Sequence, residues 1–188
     1  MDDLILYHMG FQIIEKPDVH YGRKNADFGQ GFYLSAQKEF SMRWARERKG
    51  AVTYLNRYSL NLEGLNIKRF ERNEEWFRYL FANRRGYSDG LGEFDVIIGP
   101  IANDTLYDTW GIITSGFLEE SEAMELLMLG AVYEQVVLKN EKAAAALRFL
   151  GAREVSGDEI AGYRERVRME EEAYQREFAA VLDKMSKE

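Results

Sequence analysis

The segment Asp27-Phe28-Gly29-Gln30-Gly31-Phe32-Tyr33-Leu34-Ser35 carries the side chains best suited to holding a flat ligand. Two glycines bracket one residue, so the backbone there turns tightly or lets something flat approach closely. Phe32 and Tyr33 then open a short strand-like run, and a helical pattern follows from Gln37. A glycine-flanked aromatic leading into a strand builds a stacking wall beside a ligand ring. The same pattern also describes a β-bulge or tight turn that packs ordinary core aromatics.

Two distant segments keep company with it. Leu4-Ile5-Leu6-Tyr7-His8-Met9-Gly10 reads as a buried strand that brings an imidazole, 25 residues before Tyr33. Val132-Tyr133-Glu134-Gln135-Val136-Val137-Leu138 is the clearest strand in the chain. Alternation sends Tyr133, Gln135 and Val137 to one face and Glu134 and Val136 to the other, so only one of Glu134 and Gln135 can enter a shared site. Each candidate also has an ordinary structural reading: His8 a strand-end histidine, Tyr33 a core tyrosine, Ser41 a helix hydroxyl, Arg23 a surface cation.

Composition narrows the chemistry. There are no cysteines, which excludes disulfides, a thiolate nucleophile and cysteine metal sites. Two histidines, His8 and His20, argue against a zinc centre, so no metal is expected. A formal net charge of −7 argues against nonspecific grasp of nucleic acid, although Arg43, Arg46, Arg48 and Lys49 cluster locally. No basic leader or membrane-length apolar run is visible, so a cytoplasmic protein without membrane contact is expected.

The surrounding pattern predicts the elements that position these groups. Phe40, Trp44 and Ala45 suggest a helix over Lys38–Lys49 stopped by Gly50, and Val52–Leu60 reads as a strand. Asn73 caps a helix over Glu74–Arg84, and a glycine-rich loop from Gly86 to Gly92 follows. Phe94–Ile98 is a buried strand stopped by Gly99-Pro100. Asn103 or Asp104 caps a helix over Thr105–Ile113, and another begins near Ser121. Asn140 caps an alanine-rich helix over Glu141–Leu150 that Gly151 ends. From Ser156 a capping box with Glu159 opens a long helix, on which Ile160, Val167, Tyr174 and Val181 fall at sevens. Such a narrow stripe packs on its own domain, or grips a partner protein or a second copy. Strands and helices interleave without a regular βαβ rhythm, which favours α+β. The expected division is residues 1–151, then a helical extension over 152–188.

Taken together, His8, Tyr33 and the Glu134-Gln135 pair resemble the motif of the ADP-ribosyltransferase fold in its diphtheria-toxin-like and poly-ADP-ribose-polymerase-like branch. Phe28-Gly29-Gln30-Gly31-Phe32-Tyr33 is similar to the polymerases' Phe-Gly-x-Gly-Ile-Tyr. Leu6-Tyr7-His8 context, Gly22-Arg23, Asp27 to Tyr33 and Ile98-Gly99-Pro100-Ile101-Ala102-Asn103-Asp104 resemble a bacterial group, domain of unknown function 3990. The resemblance covers about residues 4 to 150. It implies a split antiparallel sheet around an NAD cleft with flanking helices, and NAD as co-substrate without a metal.

The resemblance also implies residue roles. His8 would bond the adenosine-side ribose, Tyr33 would stack on nicotinamide, and Ser41, eight residues past Tyr33, would contact the carboxamide. Met9 and Gly10 would offer backbone groups, although that branch commonly has glycine at the position of Met9. Gly31 and Phe32 shape the stacking wall, Arg23 faces the pyrophosphate, and Asn103 reaches in from its loop. Gln135 holds a ribose hydroxyl without charge, whereas Glu134 would restore the usual carboxylate. The implied activity is mono-ADP-ribosylation of a protein or nucleic acid, in a toxin–antitoxin or effector setting, or NAD⁺ hydrolysis. The competing expectation is a catalytically silent NAD-binding or interaction module; RNA 2′-phosphotransferase chemistry is a third, without the arginines and histidines it needs.

Overall fold

The described residues form seven strands and four helices, in the order β1 (Leu4–Gly10), β2 (Phe32–Leu34), α1 (Lys38–Met42), β3 (Tyr54–Leu60), β4 (Ile67–Arg69), α2 (Glu74–Arg84), β5 (Val96–Pro100), β6 (Glu134–Leu138), α3 (Glu141–Ala145), β7 (Leu147–Glu154) and α4 (Gly157–Met185). This computed structural model describes residues 3–87, 92–101, 122, 125, 126 and 128–185. The fold is α+β, with two sheets and a long C-terminal helix. One sheet has the order β1-β3-β7 and is antiparallel; the other has the order β2-β6-β5-β4, with only β4 and β5 parallel.

Apolar alternation places the core. Leu6, Tyr58 and Leu60 of the first sheet pack on Phe32, Val136 and Leu138 of the second. The opposite face of the second sheet is covered by α2, through Trp76, Phe77 and Leu80 against Ile97 and Val137. Asn73 starts α2 by accepting from the Trp76 amide at 3.1 Å. The Trp76 indole N–H then donates to the Pro100 carbonyl at 2.8 Å, which satisfies its one polar atom in the core.

Among the described residues one backbone bridge joins the two sheets. Tyr7 and Ser35 exchange two backbone hydrogen bonds, at 2.8 and 3.0 Å, beside the start of α1. An antiparallel ladder would next pair Met9 with Tyr33, but the His8 imidazole takes the Tyr33 carbonyl instead, at 2.8 Å. The two strands part there.

The C-terminal helix opens with the expected capping box: the Glu159 amide donates to Ser156 Oγ and the Ser156 amide to the Glu159 carboxylate, both at 3.2 Å. Ile160 is buried with Met42, Ala45 and Leu55, and Tyr163 joins that cluster. Farther along, Glu170 accepts from Arg43 and from the Tyr133 hydroxyl, while Val167, Tyr174, Phe178 and Val181 are half-buried. Among the described residues no helix is long and apolar enough to cross a membrane.

Several elements differ from the sequence reading. The helix expected over Lys38–Lys49 ends at Met42, because Arg43, Trp44 and Ala45 donate three residues back, to Phe40, Ser41 and Met42. Trp44 therefore leaves the apolar stripe and is 55% exposed. Gly99 and Pro100 lie inside β5 rather than stopping it. The Ile101 amide donates to Tyr133, so Pro100 turns its nitrogen to the other edge, beyond the end of β4, where no donor is needed. The helix expected to reach Leu150 ends at Ala145, and β7 follows, paired along its length with β3. A ladder with a long partner outweighs alanine's local preference for helix. The three-residue β4 was too short to show in the pattern. The helix expected over 105–113 and its cap at Asn103 or Asp104, and the helix start at Ser121, lie outside the described residues.

Candidate functional site

Where β1 and β2 part, a cavity of about 510 Å³ opens, within the ~300–1,000 Å³ usual for small-molecule sites. β1 supplies Tyr7, His8 and Met9, β2 supplies Tyr33 with Ser35 just after it, and β6 supplies Gln135. Phe40, Ser41 and Trp44 come from α1 and the turn after it, while Arg23, Asp27 and Arg84 form the charged side.

His8 is fixed by two contacts. Its Nδ1–H donates to the Tyr33 carbonyl, which can only accept, so Nε2 keeps its lone pair. The ring lies 4.6 Å from that of Phe32, centroid to centroid. Burial pushes its pKa below the ordinary 6.5, against a smaller upward pull from the Tyr33 carbonyl, so the imidazole is neutral at pH 7. Gly10 leaves room over Nε2, since a Cβ there would sit 3.5 Å from it. The result is an acceptor suited to a hydroxyl.

Met9 presents backbone. Tyr7 spends its N–H and C=O on Ser35, and ladder alternation turns the same groups of Met9 to the same edge, where the strands have separated. The Met9 side chain leans on the cluster that holds Met42 and Ile160.

Tyr33 is half-buried and held by its hydroxyl, which donates to the Gly29 carbonyl at 2.6 Å and accepts from the Phe28 amide at 3.0 Å. The glycine loop thereby clamps the ring. Gly31 itself does not line the cavity: a Cβ on it would lie 2.7 Å from both the Leu138 carbonyl and Val137 Cγ1. Its missing side chain serves the approach of β2 to β6 instead of a ligand. Phe32 also turns away, into the core between the sheets.

Gln135 lines the cavity, and its Oε1 is buried without a hydrogen-bond partner among the described residues. Such an acceptor is costly unless something donates to it. Glu134 is exposed, off the cavity, and its backbone is used by Ser35 Oγ and Gln37. Ser41 is buried; its hydroxyl donates to the Tyr7 carbonyl at 3.2 Å and retains lone pairs beside the cavity.

The charged side has two cations and one acid. Arg84 Nε bonds Asp27 Oδ1 at 2.6 Å, and Asn83 Nδ2 bonds the Asp27 carbonyl, so the end of α2 anchors the glycine loop. Arg23 is exposed at the rim and has no ion-pair partner among the described residues. Asp27 is the sole carboxylate among the described lining residues.

Of the residues singled out in sequence, His8, Met9, Arg23, Tyr33, Ser41 and Gln135 share this cavity; Gly10, Gly31, Phe32 and Glu134 flank it or face away. Asn103 lies outside the described residues. Ser35, Trp44 and the Asp27–Arg84 pair were missed. Ser35 was within reach of alternation, two residues past Tyr33 on the same face. Arg84 carried no signal, because only the packing of α2 brings it across.

Comparison with known proteins finds one family: a model described as "Protein of unknown function (DUF3990)" matches residues 4–149. No curated protein and no solved structure matches.

Proposed function

The chain belongs to the DUF3990 family, and from its cavity we propose that it binds NAD⁺ as an ADP-ribosyltransferase-like protein and transfers single ADP-ribose units to a macromolecule. One observation carries the reading: His8, Tyr33 and Gln135 come from distant segments, yet they line one cavity where β1 and β2 part. The reaction breaks the bond between nicotinamide nitrogen and the ribose anomeric carbon. The electron pair leaves with neutral nicotinamide, the carbon passes through an oxocarbenium-like state, and an acceptor nucleophile closes on it. Such chemistry needs orientation and electrostatics more than a strong acid.

The roles follow from the groups on offer. The Tyr33 ring is a rigid face for nicotinamide, and Met9 N–H and C=O can pair with its carboxamide beside Ser41. His8 Nε2 accepts from a ribose hydroxyl. Gln135 Oε1, which lacks a donor among the described residues, takes a hydroxyl of the nicotinamide ribose. Arg23, with Arg84 beside its partner Asp27, would offset the pyrophosphate charge. Gln135 cannot take a proton, so the acceptor must be a good nucleophile that loses its proton to water.

The absence of a carboxylate at Gln135 favours a second reading, a silent module that binds NAD⁺ without turning it over. One experiment separates the two. Purified protein is mixed with labelled NAD⁺ and lysate, and nicotinamide release and macromolecular label are followed beside Tyr33→Ala. Release and labelling that vanish in the variant support the transferase. Binding with neither supports the silent module, and no binding of NAD⁺ rejects both.

A further inference from the structure

A second hollow lies on the outer face of the first sheet, and its origin is a missing side chain. Ladder register aligns Tyr7, Arg57 and Gly151 across three strands, and Met9, Leu55 and Arg153 in the next row. In the first row the third position has no Cβ, and one built there would meet nothing within 4 Å. The register shifts beside Arg57, where β7 carries Leu150 as an extra residue, and Gly151 takes φ 135°, a conformation that side chains rarely adopt. The bulge thus holds the gap open. It measures about 330 Å³, within the ~300–1,000 Å³ range of small-ligand sites.

The chemistry around this gap is cationic. Lys38, Arg57 and Arg153 line it over a floor that includes Leu55 and Ala152, and no carboxylate is among the described lining residues. Arg153 is bound by Glu159 through both oxygens, at 2.9 and 3.0 Å, so its charge is offset. Among the described residues no hydrogen bond or close ion pair holds the ammonium of Lys38 or the guanidinium of Arg57, although Lys38 lies near enough to Glu159 to help lower that carboxyl's pKa. Lys38 is also half-buried, where an ammonium without a hydrogen-bond acceptor is disfavoured. Two cations without a direct hydrogen bond, over an apolar floor and in a chain of net charge −7, suit a dianion on an organic body.

We propose that this hollow is a second ligand site, one that takes a small phosphate monoester of mononucleotide size, its phosphate on Lys38 and Arg57. Tyr7 is common to both hollows and bonds Ser35 and Ser41 through its backbone, so an occupant here presses on a wall of the first cavity.

Calorimetry of the full chain with UMP, uridine and inorganic phosphate tests this directly. UMP and phosphate are expected to bind and uridine is not. Lys38→Gln and Arg57→Gln should each weaken UMP at least tenfold, with circular dichroism unchanged, while Tyr33→Ala leaves it in place. No UMP binding by the unmodified protein, equal binding of uridine, or loss confined to Tyr33→Ala would overturn the assignment. None of these outcomes depends on whether NAD⁺ is turned over.

Discussion

Replacing Tyr33 by Phe removes one oxygen and leaves the ring, and so separates the phenol's structural work from its stacking. That oxygen serves two backbone groups of the glycine loop, the Gly29 carbonyl at 2.6 Å and the Phe28 amide at 3.0 Å. Phe28 and Gly29 are both buried, so water does not readily replace what is lost. A buried group left without its partner costs about 1–3 kcal/mol, and shared relaxation of one loop brings the pair to about 2–3 kcal/mol. At ~2–4 °C per kcal/mol for a chain of this size, the midpoint of thermal unfolding should fall by roughly 4–12 °C. In urea the midpoint should drop with the slope unchanged, because the surface exposed on unfolding is the same. NAD⁺ affinity should fall severalfold, far less than with Tyr33→Ala, since a stacking face survives in a looser frame. A loss of stability under about 0.5 kcal/mol would refute the clamp. Equal loss of NAD⁺ affinity in Phe and Ala variants would instead assign the hydroxyl, rather than the ring, to the ligand.

Three further outcomes are expected. Gln135→Glu places a carboxylate beside the developing positive charge and should raise nicotinamide release at least tenfold; an unchanged rate would show that charge at this position is not limiting. Gly31→Ala forces a Cβ to within 2.7 Å of the Leu138 carbonyl, and the overpacking should cost about 1–3 kcal/mol in urea unfolding. Asp95 is buried and bonded to Lys142, the Asn66 amide and Asn140, which holds its carboxyl down from 3.8 to about 2. With the folded value below the unfolded one, its contribution is complete above pH 4 and is lost as pH falls towards 2. At ~1.4 kcal/mol per pH unit, reduced by solvent around half-exposed Lys142, about 1–2 kcal/mol of acid lability should disappear in Asp95→Asn.

Much of this was readable before folding, for local reasons. The strands bearing His8 and Gln135, the cap at Asn73 and the box at Ser156 depend on neighbours within four residues, and the pattern displays them. The parity of β6 likewise separates Gln135 from Glu134. What escaped depends on distant partners. Nothing in Leu147–Glu154 announces a strand until β3 lies beside it, and the alanines before it point the other way. Arg84 reaches Asp27 across 57 positions, a pairing that no periodicity encodes. The two loop glycines were read as turning the chain tightly or letting something flat approach; Gly29 turns it, at φ 70°, and what approaches Gly31 is β6.

The His8 ring has a mechanical consequence. By occupying the carbonyl that would have continued the ladder, it leaves the two sheets joined at this seam by a single bridged pair, Tyr7 with Ser35, among the described residues. Prising the seam wider strains two amide contacts, the imidazole contact, the Ser41 hydroxyl on Tyr7 and the apolar packing between the sheets, while each sheet keeps its own ladder. The width of the aperture is therefore set by the apolar core between the sheets more than by backbone pairing across the seam.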